Sequence, residues 1–274
     1  MDIERRCDAG QDGAMDFETL LIERENGLLV ITLNRPASLN AITPQMHGEL
    51  EAAFNMFAGD DDLQVAIVTG AGSRAFCAGS DLKAFRIKDA PPYPEHGYAG
   101  LIKRHDLVKP VIAAVNGLAL GGGMEMALAC DVIIGEESAN FGLVEPKVGL
   151  IAIAGGITRL VRAVGPKQAM IPLLTGRQVT AAQGFAQGFV SEVVAGGEAL
   201  TRARALAQEI MACAPLAVRA TKEIAYKSMD EPDLASAIAA QDHYPAYKAW
   251  IASEDAAEGM QSFVEKRKPV WRGR

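Results

Sequence analysis

Val111-Ile112-Ala113-Ala114-Val115-Asn116-Gly117-Leu118-Ala119-Leu120-Gly121-Gly122-Gly123-Met124-Glu125-Met126-Ala127-Leu128-Ala129-Cys130 is the stretch on which the fold turns. It opens with an unbroken apolar run, the pattern of a strand buried on both faces. A glycine turn follows, and then an apolar helix over roughly Gly122 to Ala129. A membrane span would not carry Asn116, Glu125 and a Gly-Gly-Gly run, so a span is rejected. The same strand pattern recurs upstream at Val65-Ala66-Ile67-Val68-Thr69 and downstream at Val132-Ile133-Ile134. Strand, turn and helix alternate, which predicts an α/β body with a largely parallel sheet.

Further out, Leu20-Leu21-Ile22 and Leu28-Leu29-Val30-Ile31-Thr32-Leu33 read as two strands joined by a turn at Glu25-Asn26-Gly27. Thr43-Pro44 is a helix start, with Thr as N-cap and Pro in the first turn. Met46, Leu50, Ala53, Phe54 and Phe57 follow at helical spacing, and Asp60-Asp61-Asp62 ends the helix. Beyond about Val194 the β-branched runs vanish and alanine rises. Helices are expected there over Ala199 to Cys213, Pro215 to Met229, Leu234 to Ile251 and Glu254 to Glu265. The expected organisation is a loose leader over 1–15, a core over 16–195 and a helical region over 196–274, with Met15 read as the native start.

Of 274 residues, 49% are apolar and 22% charged, an ordinary globular balance. The net charge of -7 does not attract nucleic acid or an anionic membrane, so an anionic ligand must be held by a local site. Cys7, Cys77, Cys130 and Cys213 show no CxxC spacing, and Met1 to Arg6 lacks the apolar core of a signal peptide. Reduced thiols and a cytoplasmic location are expected. His47, His96, His105 and His243 have no metal-ligand spacing, and no metal is expected.

Two turns are candidates for chemistry. Gly121-Gly122-Gly123 opens a helix, where unpaired amides and the helix dipole favour negative charge. The run suits an oxyanion, or simply a tightly packed turn. Ala75-Phe76-Cys77-Ala78-Gly79-Ser80-Asp81-Leu82-Lys83 is a small-residue turn, running into a possible helix led by Ser80 and Asp81. It is either an ordinary capped turn or a second ligand contact. The two turns follow the strands at Val65 to Thr69 and Val111 to Val115, at the sheet edge where α/β proteins bind ligands. Glu125, in the first turn of its helix, is a surface charge or a carboxylate facing a pocket. Glu145, twenty residues further on beside Pro146, is a loop charge or its partner. Two such carboxylates facing one pocket would divide acid and base work. Cys77 is a weaker candidate, as a nucleophile without an evident base.

Together these segments resemble the crotonase (enoyl-CoA hydratase/isomerase) superfamily, most closely its enoyl-CoA hydratases. The resemblance runs through Ile31 to Pro36, Leu39-Asn40-Ala41, Ala75 to Lys83, Ala114 to Gly123, Cys130-Asp131, Phe141-Gly142 with Glu145, Gly155 to Leu160, Leu174-Thr175-Gly176, Glu258-Gly259-Met260 and Phe263 to Arg267. It implies a spiral of ββα units with a helical C-terminal trimerisation region, in a homotrimer or a hexamer of paired trimers. It implies an acyl-CoA substrate whose coenzyme A is part of the substrate, with no separate cofactor. The amides of Ser80 and Gly122 would form an oxyanion hole for a thioester enolate. Ala78, Ser80, Asp81, Leu82, Lys83 and Gly122 would line the bound CoA. Ala37 falls where many relatives place a lysine on a phosphate, and Lys266 to Lys268 would reach a neighbouring subunit's nucleotide. Hydratases carry glutamates at the positions of Glu125 and Glu145, which implies that water adds across a trans-2-enoyl-CoA. Glu125 would activate the water and Glu145 would protonate Cα. Where hydratases usually have Pro-Gly, this chain has Ala152-Ile153, and Ile153 is expected to crowd the water or reshape the acyl pocket. Isomerisation of the double bond, or dehydration of a specialised hydroxyacyl-CoA, is the competing chemistry. A non-catalytic CoA- or RNA-binding scaffold is the competing class.

Overall fold

A computed structural model describes residues 17–84 and 92–274. The leader over 1–15, Met15 and Cys7 lie outside the described residues. β1 (Leu20–Glu25) and β2 (Leu28–Leu33) form an antiparallel hairpin, as expected. Asn26 and Gly27, both at positive φ, make its two-residue turn. Thr43 caps α1 (Pro44–Gly59), its side chain accepting the Met46 amide at 3.2 Å. Met46, Leu50, Ala53, Phe54 and Phe57 are all buried.

β3 (Val65–Gly70), β5 (Val111–Val115), β7 (Val132–Glu136) and β10 (Glu192–Val194) complete a six-stranded sheet in the order β1-β2-β3-β5-β7-β10. Every pairing after the hairpin is parallel. The unbroken apolar runs arise because both faces are covered. Val111, Ala113 and Val115 face the large core that also takes the buried side of α1, while Ile112 and Ala114 share the smaller one with Ala199, Ala203 and Ala207 of α6 (Ala199–Met211). Successive residues alternate between two cores, so a run with no polar position is required.

A second sheet was not visible in the sequence. β4 (Ala75–Cys77), β6 (Leu118–Leu120), β8 (Asn140–Gly142) and β9 (Val179–Thr180) pair in the order β4-β6-β8-β9, parallel except for β9. Each of β3, β5 and β7 thus hands the chain to a three-residue strand. The candidate turns therefore follow β4 and β6, rather than β3 and β5 directly as the sequence suggested. β6 leads into α2 (Gly122–Ala129), with the bounds expected. α3 (Gly156–Val164), α4 (Pro166–Thr175) and α5 (Ala181–Gln187) follow β8.

Two expectations fail. No helix starts at Ser80, which bridges to Ile42 instead, and the chain makes a turn closed by the Ala84 amide on Asp81 O at 2.9 Å. Leu234 to Ile251 is not one helix but α8 (Leu234–Ala240), a 3-10 turn and α9 (Pro245–Ile251). Pro245 lacks an N–H and forces Tyr244 into the extended region, at ψ 141. α7 (Pro215–Lys227) and α10 (Glu254–Val264) complete the helical region. Among the described residues no helix is long and apolar enough to cross a membrane.

Candidate active site

Three chain segments meet where β4, β6 and β8 end. The turn after β4 is held from behind by the Arg35 to Ile42 segment. Ala78 N–H donates to Leu39 O at 3.0 Å, Ile42 N–H to Gly79 O at 2.8 Å, and Asp81 N–H to Ile42 O at 2.9 Å. The Arg35 guanidinium bonds the Asp81 carboxylate at 3.1 Å, and Asn40 Nδ2 bonds the carbonyls of Ala71 and Ala75. This explains why Asn40 is buried although polar. It also means that Asp81 is already paired, while Leu82 and Lys83 are exposed. Ala37 is exposed as well.

The turn after β6 needs glycine at two places. Gly121 sits at φ 52, ψ -127, a conformation closed to residues with a Cβ. Gly122 has no room for one, because a Cβ there would lie 2.1 Å from the Tyr98 hydroxyl. The two turns touch: a Cβ on Gly79 would lie 3.2 Å from the Gly122 nitrogen. Among the described residues, neither the Ser80 amide nor the Gly122 amide donates to a protein acceptor. An unpaired N–H at a helix start, with a second in the turn packed against it, favours an anionic oxygen.

Glu125 and Glu145 stand beside these amides. Glu125 is 3% exposed, and its Oε1 accepts the Gly156 amide at 2.9 Å. Burial, reinforced by the charge of Glu145, pushes its carboxyl up to about 7. Glu145 opens a 3-10 turn after β8, and its Oε1 is 3.2 Å from where a Gly121 Cβ would be. Its Oε2 is buried with no hydrogen-bond partner among the described residues, and burial pushes its carboxyl above the usual carboxylate range too. A buried carboxylate oxygen left unpaired is costly and invites a ligand proton or hydroxyl.

Ile153 is 77% exposed and is not wedged into a buried water site. Its neighbours Ala152 and Ala154 are the buried ones, and Ala154 presents its amide to Glu125. Cys77 is fully buried and its thiol is pushed up to about 12, which leaves it protonated and unreactive. Tyr98, 2% exposed, was not among the sequence candidates. It lies 18 residues past Ser80 with no motif around it, yet its hydroxyl is 3.1 Å from Ser80 Oγ. Its ring meets His47 and Tyr93 edge-on at 4.6 and 5.6 Å. Arg267 of the basic tail is bound to Glu258 and Glu265.

The raised Glu125 carboxyl has a consequence for stability. A group that binds its proton more tightly when folded stabilises the fold below its unfolded value, 4.5, and that contribution is lost as pH rises through about 7. Glu125→Gln removes the dependence. Relative to the variant, the wild-type protein should lose about 3 kcal/mol between about pH 4 and about pH 8. Urea midpoints of both proteins at the two pH values measure it, and parallel curves would contradict the buried, protonated carboxyl.

A two-sheet spiral whose strand ends converge on unpaired amides and buried carboxylates defines a class of fold and site together. The enoyl-CoA hydratase/isomerase family model matches residues 23–274, and the chain belongs to that family, within the crotonase superfamily. A carnitinyl-CoA dehydratase of Salmonella typhi is 42% identical over 264 residues, spanning 94% of this chain and 99% of that protein. The crystal structure of an enoyl-CoA hydratase from Mycobacterium tuberculosis H37Rv is similar at 39% identity and TM-score 0.87, over 93% of this chain and 99% of that one. A probable enoyl-CoA hydratase/isomerase from Mycobacterium abscessus is similar at 42% identity and TM-score 0.85, over 94% and 99%.

Proposed function

We propose that the protein is an enoyl-CoA hydratase, adding water across a trans-2-enoyl-CoA to give the 3-hydroxyacyl-CoA. The observation that carries this reading is the pair of carboxylates, buried Glu125 and half-buried Glu145, beside two unpaired amides, one at the start of α2 and one in the turn against it. In hydration, ionised Glu125 takes a proton from water as its oxygen bonds to Cβ. Negative charge moves to the thioester oxygen, where the amides of Ser80 and Gly122 hold it. Protonated Glu145 then gives its proton to Cα, and the double bond is consumed. The pair holds one proton before and after turnover. Burial raises both groups and the charge of Glu145 raises Glu125 further, which favours such sharing.

An enzyme that hydrates also dehydrates, so direction is set by the equilibrium and not by the site. The second reading is therefore a hydro-lyase for a specialised hydroxyacyl-CoA, favoured by the 42% identity to a carnitinyl-CoA dehydratase. A panel of 2-enoyl-CoA thioesters of differing length, branching and charge separates the two, read by loss of the conjugated thioester's ultraviolet absorbance. Turnover of simple straight chains supports the first. Turnover confined to a substituted member supports the second. Consumption of a 3-enoyl-CoA without net hydration, or binding with no turnover of any member, would count against both. The CoA moiety is proposed to run along Ala78, Leu82 and Lys83. A homotrimer or hexamer and a cytoplasmic location are likewise proposed, the assembly supported by exposed apolar Leu234, Met260, Phe263 and Val264.

A further inference from the structure

Ser80 brings a hydroxyl to the amide pair, and that hydroxyl is 3.1 Å from the phenol of Tyr98. The phenol is buried at the start of α2: the space that a Cβ on Gly122 would need lies 2.1 Å from its oxygen. Its ring cannot swing away, being braced by His47 and Tyr93. The His47 ring is itself fixed, accepting the Ala99 amide at Nδ1 at 2.9 Å. Among the described residues, Ser80 Oγ is the one hydrogen-bond partner of the Tyr98 hydroxyl.

A buried phenol has one proton and needs an acceptor for it. Ser80 Oγ is that acceptor, so the bond runs from Tyr98 to Ser80. The serine's own proton is then turned away from the phenol. Ser80 is only half-buried, so its hydroxyl keeps an open side, and both its phenol partner and the preceding Gly79 lie against Gly122. We infer that the Ser80 hydroxyl is a third donor to the ligand oxygen held by the Ser80 and Gly122 amides, with Tyr98 as the positioning residue that fixes its direction. The inference rests on the proposed oxyanion site and adds to it a side-chain donor that no backbone amide can replace. As charge builds on the thioester oxygen, a donor already aimed there gains strength without reorganising.

The test uses butanoyl-CoA, isotope-labelled at the thioester carbonyl, which has no double bond to hydrate. Its carbonyl stretch is followed by infrared difference spectroscopy on binding to the wild-type protein, Ser80→Ala, Tyr98→Phe and the double variant. The wild-type protein should lower the stretch, and Ser80→Ala should lose part of that shift. Tyr98→Phe should lose a similar part, and the double variant no more than Ser80→Ala alone. With a turned-over enoyl-CoA, Ser80→Ala should lower kcat about 10-fold or more while KM moves little. An unchanged shift in Ser80→Ala overturns the third donor and leaves the amide pair standing. A shift lost in Ser80→Ala but kept in Tyr98→Phe overturns the role of Tyr98. No shift in the wild-type protein overturns the oxyanion site, and this inference with it. Thermal melting accompanies each variant, and should Tyr98→Phe not fold, Ser80→Ala decides alone.

Discussion

Glu145→Gln will lower kcat on a turned-over enoyl-CoA by about 10²–10⁴-fold, the usual range for removing a general acid or base. Glutamine keeps the size and one oxygen of the side chain but cannot pass a proton to Cα. The loss should fall on kcat, because the CoA contacts and the amide pair remain in place. Stability should hold or rise. Glu145 now buries an oxygen with no partner, and burial penalises its charged form. Steady-state rates with a matched urea titration read both parts. A Glu145→Gln protein with unaltered kcat would remove the residue from the mechanism.

Gly122→Ala is the second large effect, and it arises from space rather than acidity. The added methyl would lie 2.1 Å from the Tyr98 hydroxyl and 2.2 Å from its ring carbon. Neither atom is the free end of a flexible chain, so the start of α2 must shift. Overpacking of this kind costs about 1–3 kcal/mol of stability. A displaced amide forfeits an oxyanion contact, for which about 10²–10³-fold in kcat is typical. Gly48→Ala is the matched control. Gly48 lies within α1 with nothing within 4 Å of the new methyl, and that variant should gain about 0.5–1 kcal/mol. Calorimetry and kinetics on the pair separate crowding from a general intolerance of alanine. Full activity in Gly122→Ala would show that this amide is not used.

The contrast between those glycines illustrates what the sequence could and could not disclose. Long features were legible: the hairpin at Asn26-Gly27, the Thr43-Pro44 cap and the buried runs of β3, β5 and β7 each have a local chemical signature. The three-residue strands β4, β6 and β8 do not, since two alternations are too few to form a period. Pro245 did carry a signal, but the apolar residues around it read as continuous helix. Among site residues, Glu125 and Glu145 drew attention by their odd settings, a carboxylate in an apolar helix and another locked beside proline. Their proximity was implied by the family resemblance and not by their own spacing, because it depends on the second sheet. Tyr98 was hidden for the same reason. Its value comes from lying against Gly122, and a tyrosine in a turn-rich segment announces nothing. The exposure of Ile153 was not legible, because a loop residue's side of the backbone cannot be inferred without the backbone.

The division of labour between the two sheets bears on how such a protein can diverge. The six-stranded sheet contributes to both cores, whereas the residues nearest the amides hang from the ends of three short strands of a separate four-stranded sheet. Each end is a separate stretch of chain with its own corner. Position 125 or 145 can change without disturbing a ladder bond of the larger sheet. A lineage built this way can exchange one acid–base set for another on a standing scaffold. The amide pair cannot be traded so freely, because it is made of backbone and of the absence of a methyl group at Gly122. Change is inexpensive at the carboxylates and closed at the glycine, so under the proposed reaction drift in this architecture alters the second reactant before it alters the anion.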